Sequence, residues 1–339
     1  MQNIACLPNS DREDLFRNTA AQKHLHSAII EKDFWVCYTL DYLFHRSPWQ
    51  KNFAFKGGTS LSKAYDLIQR FSEDIDLILD WRILGYEARE PWQQRSKNQQ
   101  DKFNKAANKR AEDFLLSSFI PQIKEDISAE MKQEAHISID TIDKQTVIFS
   151  YPNIFDNSST LRQIRLEIGA LAAWTPTQTA EISSYAAECY ERLFTSPSTT
   201  ILTAAPERTF WEKITILHQE ANRPENTPMP QRYFRHYYDI YRMYSTPVKA
   251  KALSQLDLLE KVITFKSKFY PAKWAHFETA VPGSIKLIPS QPRFAELISD
   301  YKAMRDMFYG DVPTFEEVIA TLRILEEEIN TLKSSIHIS

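Results

Sequence analysis

The chain has 339 residues, of which 43% are hydrophobic and 25% charged, and these proportions exclude an intrinsically disordered protein. Its formal net charge of −3 excludes a positive field over the whole molecule, so any surface that binds nucleic acid must be local. No apolar run reaches the ~18 residues of a membrane span. The three scattered cysteines contain no Cys-x-x-Cys pair and predict neither a disulfide framework nor a zinc site.

The first residues show no targeting pattern. Residues 1–8 lack a basic region followed by an apolar core, so we expect no secretory signal. Together with the few cysteines, this predicts a reduced, cytoplasmic setting and no contact with a membrane. The length allows two domains.

Four elements are predicted in the first quarter of the chain. Residues 11–47 predict helical structure, because apolar side chains recur at three- to four-residue spacing between charges. A short strand is predicted over residues 51–56, which ends at a glycine pair, residues 57–58. A hydroxyl residue directly after the pair can cap a helix, which we expect over residues 59–70. A second strand is predicted over residues 75–79.

The glycine pair predicts a bend that a phosphate can approach. The chain has only six glycines, so two adjacent ones indicate a requirement of the backbone. Gly57 and Gly58 permit positive φ and carry no side chain, so backbone N–H groups can come close to a ligand. The predicted helix that follows would present further free N–H groups in its first turn.

Two aspartates follow the glycine pair at a short distance. Asp74 and Asp76 are one residue apart in a predicted strand, so both carboxylates lie on one face. Mg²⁺ prefers oxygen ligands and needs only one or two carboxylates besides substrate phosphates. With the glycine bend, the pair predicts metal-assisted nucleotidyl transfer. A solvated strand edge or a turn is the alternative interpretation of the two aspartates alone.

The next segments predict a surface helix and a hairpin. Residues 86–113 are rich in Gln, Asn, Lys and Arg and predict a surface helix or a mobile insertion. Its basic side chains can follow an RNA backbone, and Trp92 and Phe103 can stack on bases. A solvated helix with a few apolar anchors is the alternative. Residues 136–142 and 145–151 alternate and predict a hairpin.

A cleanly alternating strand is predicted over residues 161–168. Glu167 is its acidic residue and falls on the same side as Arg165. On strand geometry alone, Glu167 is a candidate third metal ligand beside the two aspartates. A salt bridge from Glu167 to Arg165 or Arg70 is the alternative.

The second half of the chain is predicted to be helical. A stretch rich in Ser and Thr at residues 195–200 predicts a boundary, and helices dominate from residue 206 onward. We therefore predict an α+β protein in which residues 1–205 form a domain with a mixed sheet and N-terminal helices. Residues 206–339 would form a mostly helical domain, with the substrate in the cleft between the two.

Two motifs resemble the nucleotidyl transferase AbiEii/AbiGii toxin family, which belongs to the DNA-polymerase-beta-like transferases. They are Lys-Gly-Gly-Thr-Ser-Leu at residues 56–61 and Arg-Phe-Ser-Glu-Asp-Ile-Asp-Leu at residues 70–77. Segments at 31–35, 208–218 and 235–240 also resemble the family. The likeness covers most of the chain, with gaps at residues 86–160 and 244–295.

The resemblance implies a polymerase-beta-like fold and a role for each matching position. Asp74 and Asp76 would bind the catalytic metal. Ser72 would orient a carboxylate or serve as a phosphorylation site. The nucleotide would be bound by the segment around the glycine bend, namely Lys56, Gly57, Gly58, Thr59 and Ser60.

The resemblance also implies two catalytic residues in the helical domain. Lys213 would contact the triphosphate, as a flexible ammonium suits a phosphate. Asp239 would help to organise the nucleotide or the acceptor. From the residues alone, Lys213 is a solvated helix position, and Asp239 is an i,i+4 ion-pair partner of Arg235.

The same resemblance implies the substrates and partners. A nucleoside triphosphate (NTP) would be used with Mg²⁺, or Mn²⁺ in its place, and the acceptor would be an RNA, with the 3′ end of tRNA favoured. The protein would act as a toxin of a toxin–antitoxin or abortive-infection system, with a separately encoded antitoxin and no DNA partner. Two alternatives stay open: an adenylyltransferase that modifies protein hydroxyls, and a non-catalytic module that binds nucleotide or RNA.

Overall fold

The computed structural model describes residues 1–72, 74–155, 162–171 and 175–333. The chain forms two compact units. The first consists of Met1–Ala64 and Ser72–Ala204, and the second of Tyr65–Phe71 and Ala205–Ser339. The first unit contains a mixed sheet with helices and the second is mostly helical, so the predicted α+β class is confirmed. Across the described residues, no helix is both long and apolar enough to cross a membrane.

The sheet has seven strands within the described part of the chain. They are Phe53–Lys56 (β1), Asp74–Leu79 (β2), His136–Ile139 (β3), Thr146–Ser150 (β4), Ile164–Gly169 (β5), Thr177–Ser183 (β6) and Ser198–Ala204 (β7). Their order across the sheet is β3-β4-β5-β2-β1-β7-β6. β1 runs antiparallel to β2 and parallel to β7, and β2 runs parallel to β5. The predicted hairpin is present as β3 and β4.

Two of these strands correct the sequence analysis. β6 was not predicted, and residues 198–200, which were expected to lie at a domain boundary, begin β7 instead. β7 pairs with β6 along its whole length and with β1 at one position, so its Ser- and Thr-rich start is part of the sheet. The strand predicted from residue 161 begins at Ile164, and Leu161 lies outside the described residues.

The helices of the first unit are Gln2–Ala5 (α1), Asn9–Lys23 (α2), Ser27–His45 (α3), Gly57–Lys63 (α4), Lys97–Phe114 (α5), Ile120–Met131 (α6) and Tyr185–Cys189 (α7). The helical region predicted at residues 11–47 is two helices, because His24 takes a left-handed φ of 55° at the end of α2. The helix expected to reach Arg70 ends at Lys63. Asp66 takes a left-handed φ of 50°, and Gln69 and Phe71 form backbone hydrogen bonds within the second unit.

Side-chain alternation places the large apolar residues of the central strands on one face of the sheet and the charged residues on the other, where Ala54 and Ile78 also pack with Leu202. The first face carries buried residues of neighbouring strands, namely Phe53, Phe55, Ile75, Leu77, Leu166 and Ile168. Trp35 of α3 packs edge-on against Phe149 with ring centroids 5.9 Å apart, and Phe119 packs against Phe53 at 5.7 Å. Each large side chain buried here stabilises the fold by about 1.5–3 kcal/mol. Asp74, Asp76, Arg165 and Glu167 are therefore left on the opposite face.

The helices of the second unit are Pro206–Ala221 (α8), Phe234–Tyr244 (α9), Pro247–Leu253 (α10), Leu256–Phe269 (α11), Phe294–Ala303 (α12) and Phe315–Thr331 (α13). The segment Tyr65–Phe71 joins this unit through backbone hydrogen bonds. Phe71 N donates to Met307 O at 2.8 Å, and Tyr309 N donates to Gln69 O at 3.0 Å. The residues directly before β2 are thus held by the second unit.

A buried ion pair holds α4, the helix that begins at the glycine bend. Lys63 Nζ lies 2.7 Å from Asp33 Oδ1, and both side chains are buried. Asp33 Oδ2 also accepts a hydrogen bond from Tyr185 N, whose ring lies 4.1 Å from the ammonium. Burial alone lowers the pKa of an ammonium, but the Asp33 carboxylate outweighs it and raises the pKa of Lys63. The pair therefore ties α4 to α3 and to the start of α7.

We predict that Lys63→Met destabilises the protein by about 3–5 kcal/mol, because it leaves the Asp33 carboxylate buried without its counter-charge. Urea unfolding followed by circular dichroism measures the loss. Lys105→Met is the matched control, since Lys105 forms an exposed i,i+4 pair with Asp101 that contributes less than about 1 kcal/mol. Equal losses in the two variants would contradict the role given to the buried pair.

Candidate active site

The glycine bend meets a carboxylate at the end of β1. Lys56, the last residue of β1, pairs with Asp76 of β2. Gly57 follows with φ +81°, and a Cβ built on it would lie 1.8 Å from Asp76 Oδ2. No side chain fits in that space, and positive φ disfavours other residues as well. Glycine at position 57 is therefore what allows the backbone to lie against the Asp76 carboxylate.

The parallel pairing of β2 with β5 brings a second carboxylate beside the first. Asp76 is aligned with Glu167, and Asp74 is aligned with Arg165. Aligned residues of neighbouring strands point to the same side of a sheet, so Glu167 and Asp76 lie next to each other. Arg165 Nε lies 3.9 Å from Asp74 Oδ1.

A cavity of about 190 Å³ lies at this edge of the sheet, lined by Lys56, Asp76, Asp143, Gln145, Glu167, Ile168 and Gly169. It combines one ammonium with carboxylate groups next to the glycine bend. A larger cavity of about 770 Å³ lies where β7 begins, at the opposite end of the strands, and none of the predicted site residues lines it. We therefore assign the site to the smaller cavity, because the predicted site residues Lys56, Asp76 and Glu167 line it.

The hydroxyl residues of the motif hold the bend in place. The buried Thr59 donates from Oγ1 to Asp74 O at 2.5 Å and contacts Ser72 Oγ at 3.0 Å. Ser60, also buried, donates to Gly57 O at 2.8 Å. These bonds tie the first turn of α4 to the start of β2. Glu73, between Ser72 and Asp74, lies outside the described residues.

The donor set suits a divalent cation that arrives with a substrate. Within the described ranges, no three acidic, histidine or cysteine side chains are grouped closely enough to hold a metal by themselves. Mg²⁺, however, commonly takes only one or two carboxylates and completes its shell with phosphate oxygens and water. Asp76 and Glu167, which are aligned on neighbouring strands and line one cavity, match that pattern.

In the second unit, the Asp239 carboxylate forms ion pairs with two basic side chains. Arg70 donates from Nε and Nη2 to its two carboxylate oxygens at 2.6 and 2.8 Å. Lys213 Nζ lies 2.7 Å from Asp239 Oδ2, and all three side chains are buried. The sequence alternative paired Asp239 with Arg235, whereas the structure pairs it with Arg70 and Lys213. Sequence analysis named Arg70 only as a possible partner of Glu167. The sequence feature that could have indicated its importance is its position in the motif at residues 70–77.

Burial and charge act in opposite directions on the Asp239 cluster. Burial by itself raises the pKa of Asp239, but the charges and hydrogen bonds of Arg70 and Lys213 outweigh it and hold the pKa well below its usual range. Burial lowers the pKa of Lys213, with Asp239 opposing the shift. A depressed carboxyl pKa means that the pairing stabilises the fold above the ordinary aspartate value of about 4. The contribution is lost only as the pH falls below that value.

The basic segment, residues 86–113, contains ion pairs of the kind found on an ordinary solvated helix. Lys105 pairs with Asp101 and Lys109 with Asp113, in each case one turn apart on α5. The Phe103 ring is covered by the guanidinium of Arg95, 4.0 Å from the ring centroid. The structure thus provides the apolar anchor of the alternative interpretation, and RNA contact by this segment stays a prediction.

A mixed sheet that brings a glycine bend against a strand carboxylate is the arrangement that the sequence analysis predicted for a nucleotidyltransferase. The family model described as nucleotidyl transferase AbiEii toxin, type IV toxin–antitoxin system, matches residues 41–321. The chain belongs to this family. It is therefore a nucleotidyltransferase toxin of a type IV system, and such a system includes an antitoxin. The predicted family and enzyme class are confirmed.

Among solved structures, the chain is similar to MenT4, a nucleotidyltransferase toxin from Mycobacterium tuberculosis H37Rv. The TM-score is 0.52 at 14% identity, and the match covers 95% of this chain and 90% of that one. At this identity the likeness shows the fold. No curated protein matches the chain.

We predict that Gly57→Ala destabilises the protein more than Gly283→Ala does. Both glycines have positive φ, at +81° and +92°, so each alanine costs about 1–2 kcal/mol in backbone strain. A Cβ at Gly283 meets nothing within 4 Å, whereas at Gly57 it must displace Asp76. We expect a further loss of about 1–3 kcal/mol at Gly57. Urea unfolding of the two variants measures the difference, and equal losses would show that the close approach is unimportant.

We predict that Asp239→Asn destabilises the protein by about 3–5 kcal/mol, because Arg70 and Lys213 then stay buried without a counter-charge. The control is Asp257→Asn in the same unit, where the exposed pair with Lys261 contributes less than about 1 kcal/mol. Chemical denaturation at neutral pH compares the two variants. A loss at Asp239 no greater than that of the control would argue against the buried cluster.

Proposed function

We propose that the protein transfers a nucleoside monophosphate from an NTP to the 3′ hydroxyl of an RNA, above all a tRNA, and so blocks translation. The observation that carries the proposal is the contact of the Gly57 backbone with the Asp76 carboxylate, beside Lys56 and Glu167 in one cavity. A bend without side chains next to carboxylates and an ammonium suits a triphosphate and its cation.

We propose distinct roles for the residues at this edge of the sheet. Asp76 and Glu167, with Asp74 on the same face of the sheet, would supply oxygen ligands to Mg²⁺, or to Mn²⁺ in its place. A cation bound there would neutralise charge on the phosphate oxygens during displacement at phosphorus. Lys56 adds a positive charge to the cavity lining. Gly57 and Gly58 would let a phosphate approach the backbone, as the resemblance implies.

The remaining motif residues act as positioning residues in this proposal. Thr59 and Ser60 use their hydroxyls to fix the bend and the start of β2, and Ser72 joins that network. In the second unit, Asp239 holds the ammonium of Lys213 in one orientation. The roles of Lys213 toward the triphosphate and of Asp239 toward nucleotide or acceptor stay proposals drawn from the resemblance.

The acceptor separates the proposal from its alternatives. A protein adenylyltransferase would use the same cavity with a protein hydroxyl, and a binding module would use it without transfer. The RNA acceptor is favoured by the family, and the surroundings expected for a tRNA acceptor and an antitoxin partner are cytoplasmic. Incubation with each NTP labelled at the α-phosphate, Mg²⁺ and either total RNA or lysate protein distinguishes the three. Label on RNA supports the proposal, whereas label only on protein, or on neither, contradicts it.

We predict that Asp76→Asn lowers the transfer rate at least about 100-fold, because it removes a charge that the transition state requires. The fold should persist, since the amide has nearly the shape of the carboxylate. Asp257→Asn, at an exposed position on α11, is the control and should keep the wild-type rate. Initial rates of label transfer and growth inhibition in cells are the two measurements.

Growth inhibition as strong with Asp76→Asn as with the wild-type protein would refute the catalytic proposal. Thermal unfolding of both variants checks that any loss of activity is a loss of chemistry. A variant with unchanged unfolding and no transfer would support the role of Asp76.

A further inference from the structure

The turn between β3 and β4 forms part of the wall of the candidate active site. Two of its residues, Asp143 and Gln145, line the cavity that Lys56, Asp76 and Glu167 also line. β4 pairs with β5 so that Thr146 is aligned with Glu167, and Ile168 N donates to Gln145 O at 2.9 Å. The turn is therefore built next to the carboxylates by the register of the sheet. Nothing in the sequence pattern had indicated this position.

The turn is held in one conformation by its own hydrogen bonds. Asp140 Oδ1 accepts from the backbone N–H groups of Ile142 at 2.7 Å and Asp143 at 2.9 Å. The side chain of Lys144 donates to the carbonyl oxygens of Asp140 and Thr141 at 3.0 and 2.8 Å. Such a turn presents its side chains at fixed places, so little entropy is lost when one of them binds a ligand.

Arg165 connects this turn to the aspartates of β2. Its Nη1 donates to Asp140 Oδ2 at 2.8 Å, and its Nε lies 3.9 Å from Asp74 Oδ1. The backbone bonds from Asp143 and Ile142, together with the Arg165 guanidinium, lower the pKa of Asp140 to about 2. The Asp140 carboxylate is therefore ionised at neutral pH, and the guanidinium joins the turn to the strand that carries Asp74 and Asp76.

Gln145 differs from its neighbours in the turn. Asp143 uses its carboxylate within the turn, where it accepts from Gln145 N at 3.0 Å and from Thr146 Oγ1 at 2.8 Å. The backbone of Gln145 is bonded on both sides, but its side-chain amide has no hydrogen-bond partner among the residues that the structure describes. An amide offers two donors and one acceptor oxygen. A half-buried amide on a fixed turn, beside the carboxylates, is placed to bind a ligand.

We propose that Gln145 hydrogen-bonds the bound nucleotide, through a ribose hydroxyl or the edge of the base, and so makes the β3–β4 turn a determinant of which NTP is used. The inference rests on the proposed function, because it places a nucleotide in this cavity. A site that hydrogen-bonds a substrate group discriminates against analogues that lack it, since the protein group is then left unpaired. In this proposal, Asp76 and Glu167 provide negative charge for the metal, and Gln145 determines which NTP is preferred.

The test compares nucleotide binding by Gln145→Ala with that of the wild-type protein. The probes are α,β-methylene analogues of the four ribonucleotides and of their deoxy forms, with Mg²⁺, titrated by isothermal calorimetry. We expect the preferred analogue to bind about 2- to 10-fold more weakly to the variant. Loss of preference among the bases assigns the contact to the base edge, and loss of the difference between ribose and deoxyribose assigns it to the hydroxyl. Either result supports the proposal.

The matched control is Gln133→Ala, an exposed glutamine of the same unit that does not line the cavity. It should leave every affinity unchanged, and both variants should keep the wild-type melting temperature. Equal affinities of Gln145→Ala and the wild-type protein for all eight analogues would overturn the proposal.

Failure of the proposed function gives a different result. The wild-type protein can bind the analogues more tightly than Gln145→Ala does while no label reaches RNA. In that case the proposed transfer to RNA is wrong and the role of Gln145 stands. If label reaches RNA at equal rates and with equal NTP preference in both proteins, the transfer stands and the role of Gln145 is wrong.

Discussion

The first unit depends on one close approach, that of the Gly57 backbone to the Asp76 carboxylate. Backbone hydrogen bonds set the spacing of strands in a sheet, and side chains project from its two faces. Where the chain leaves β1, Gly57 has no side chain, so the Asp76 carboxylate lies against its backbone. The approach leaves a surface of backbone and carboxylate without intervening apolar groups. A highly charged substrate and its counter-ion need such a surface, because every apolar atom there would weaken their solvation.

The rest of the unit maintains this approach. One face of the sheet is covered by aromatic residues of α3 and of the segment after α5, so the face that carries the charged residues is left for chemistry. The Asp33–Lys63 pair fixes the far end of α4, while Thr59 and Ser60 fix its near end. The helix α4, which begins at the glycine bend, is thus held at both of its ends. With seven residues it is too short to be stable by itself.

Local patterns were enough to predict much of the site. Period-two alternation located β3, β4 and β5, and the rarity of glycine drew attention to residues 57–58, which precede the predicted β2. The long-range parts could not be predicted in the same way. The alignment of Glu167 with Asp76 depends on the strand order, and the approach of Gln145 depends on the register of β4 against β5. Likewise, Arg70 and Asp239 are 169 positions apart, and no periodicity records that distance.

Seven residues of the second unit, Tyr65–Phe71, come much earlier in the sequence than the rest of that unit. Tyr65–Phe71 bonds to Asp239, which is synthesised much later, and to Met307 and Tyr309, which are synthesised near the end of translation. Contacts of such large sequence separation form late, because a long loop must close first. Until then, the residues that lead directly into β2 lack their partners. A nascent toxin would therefore complete the anchoring of its aspartate strand only when most of the chain has been synthesised.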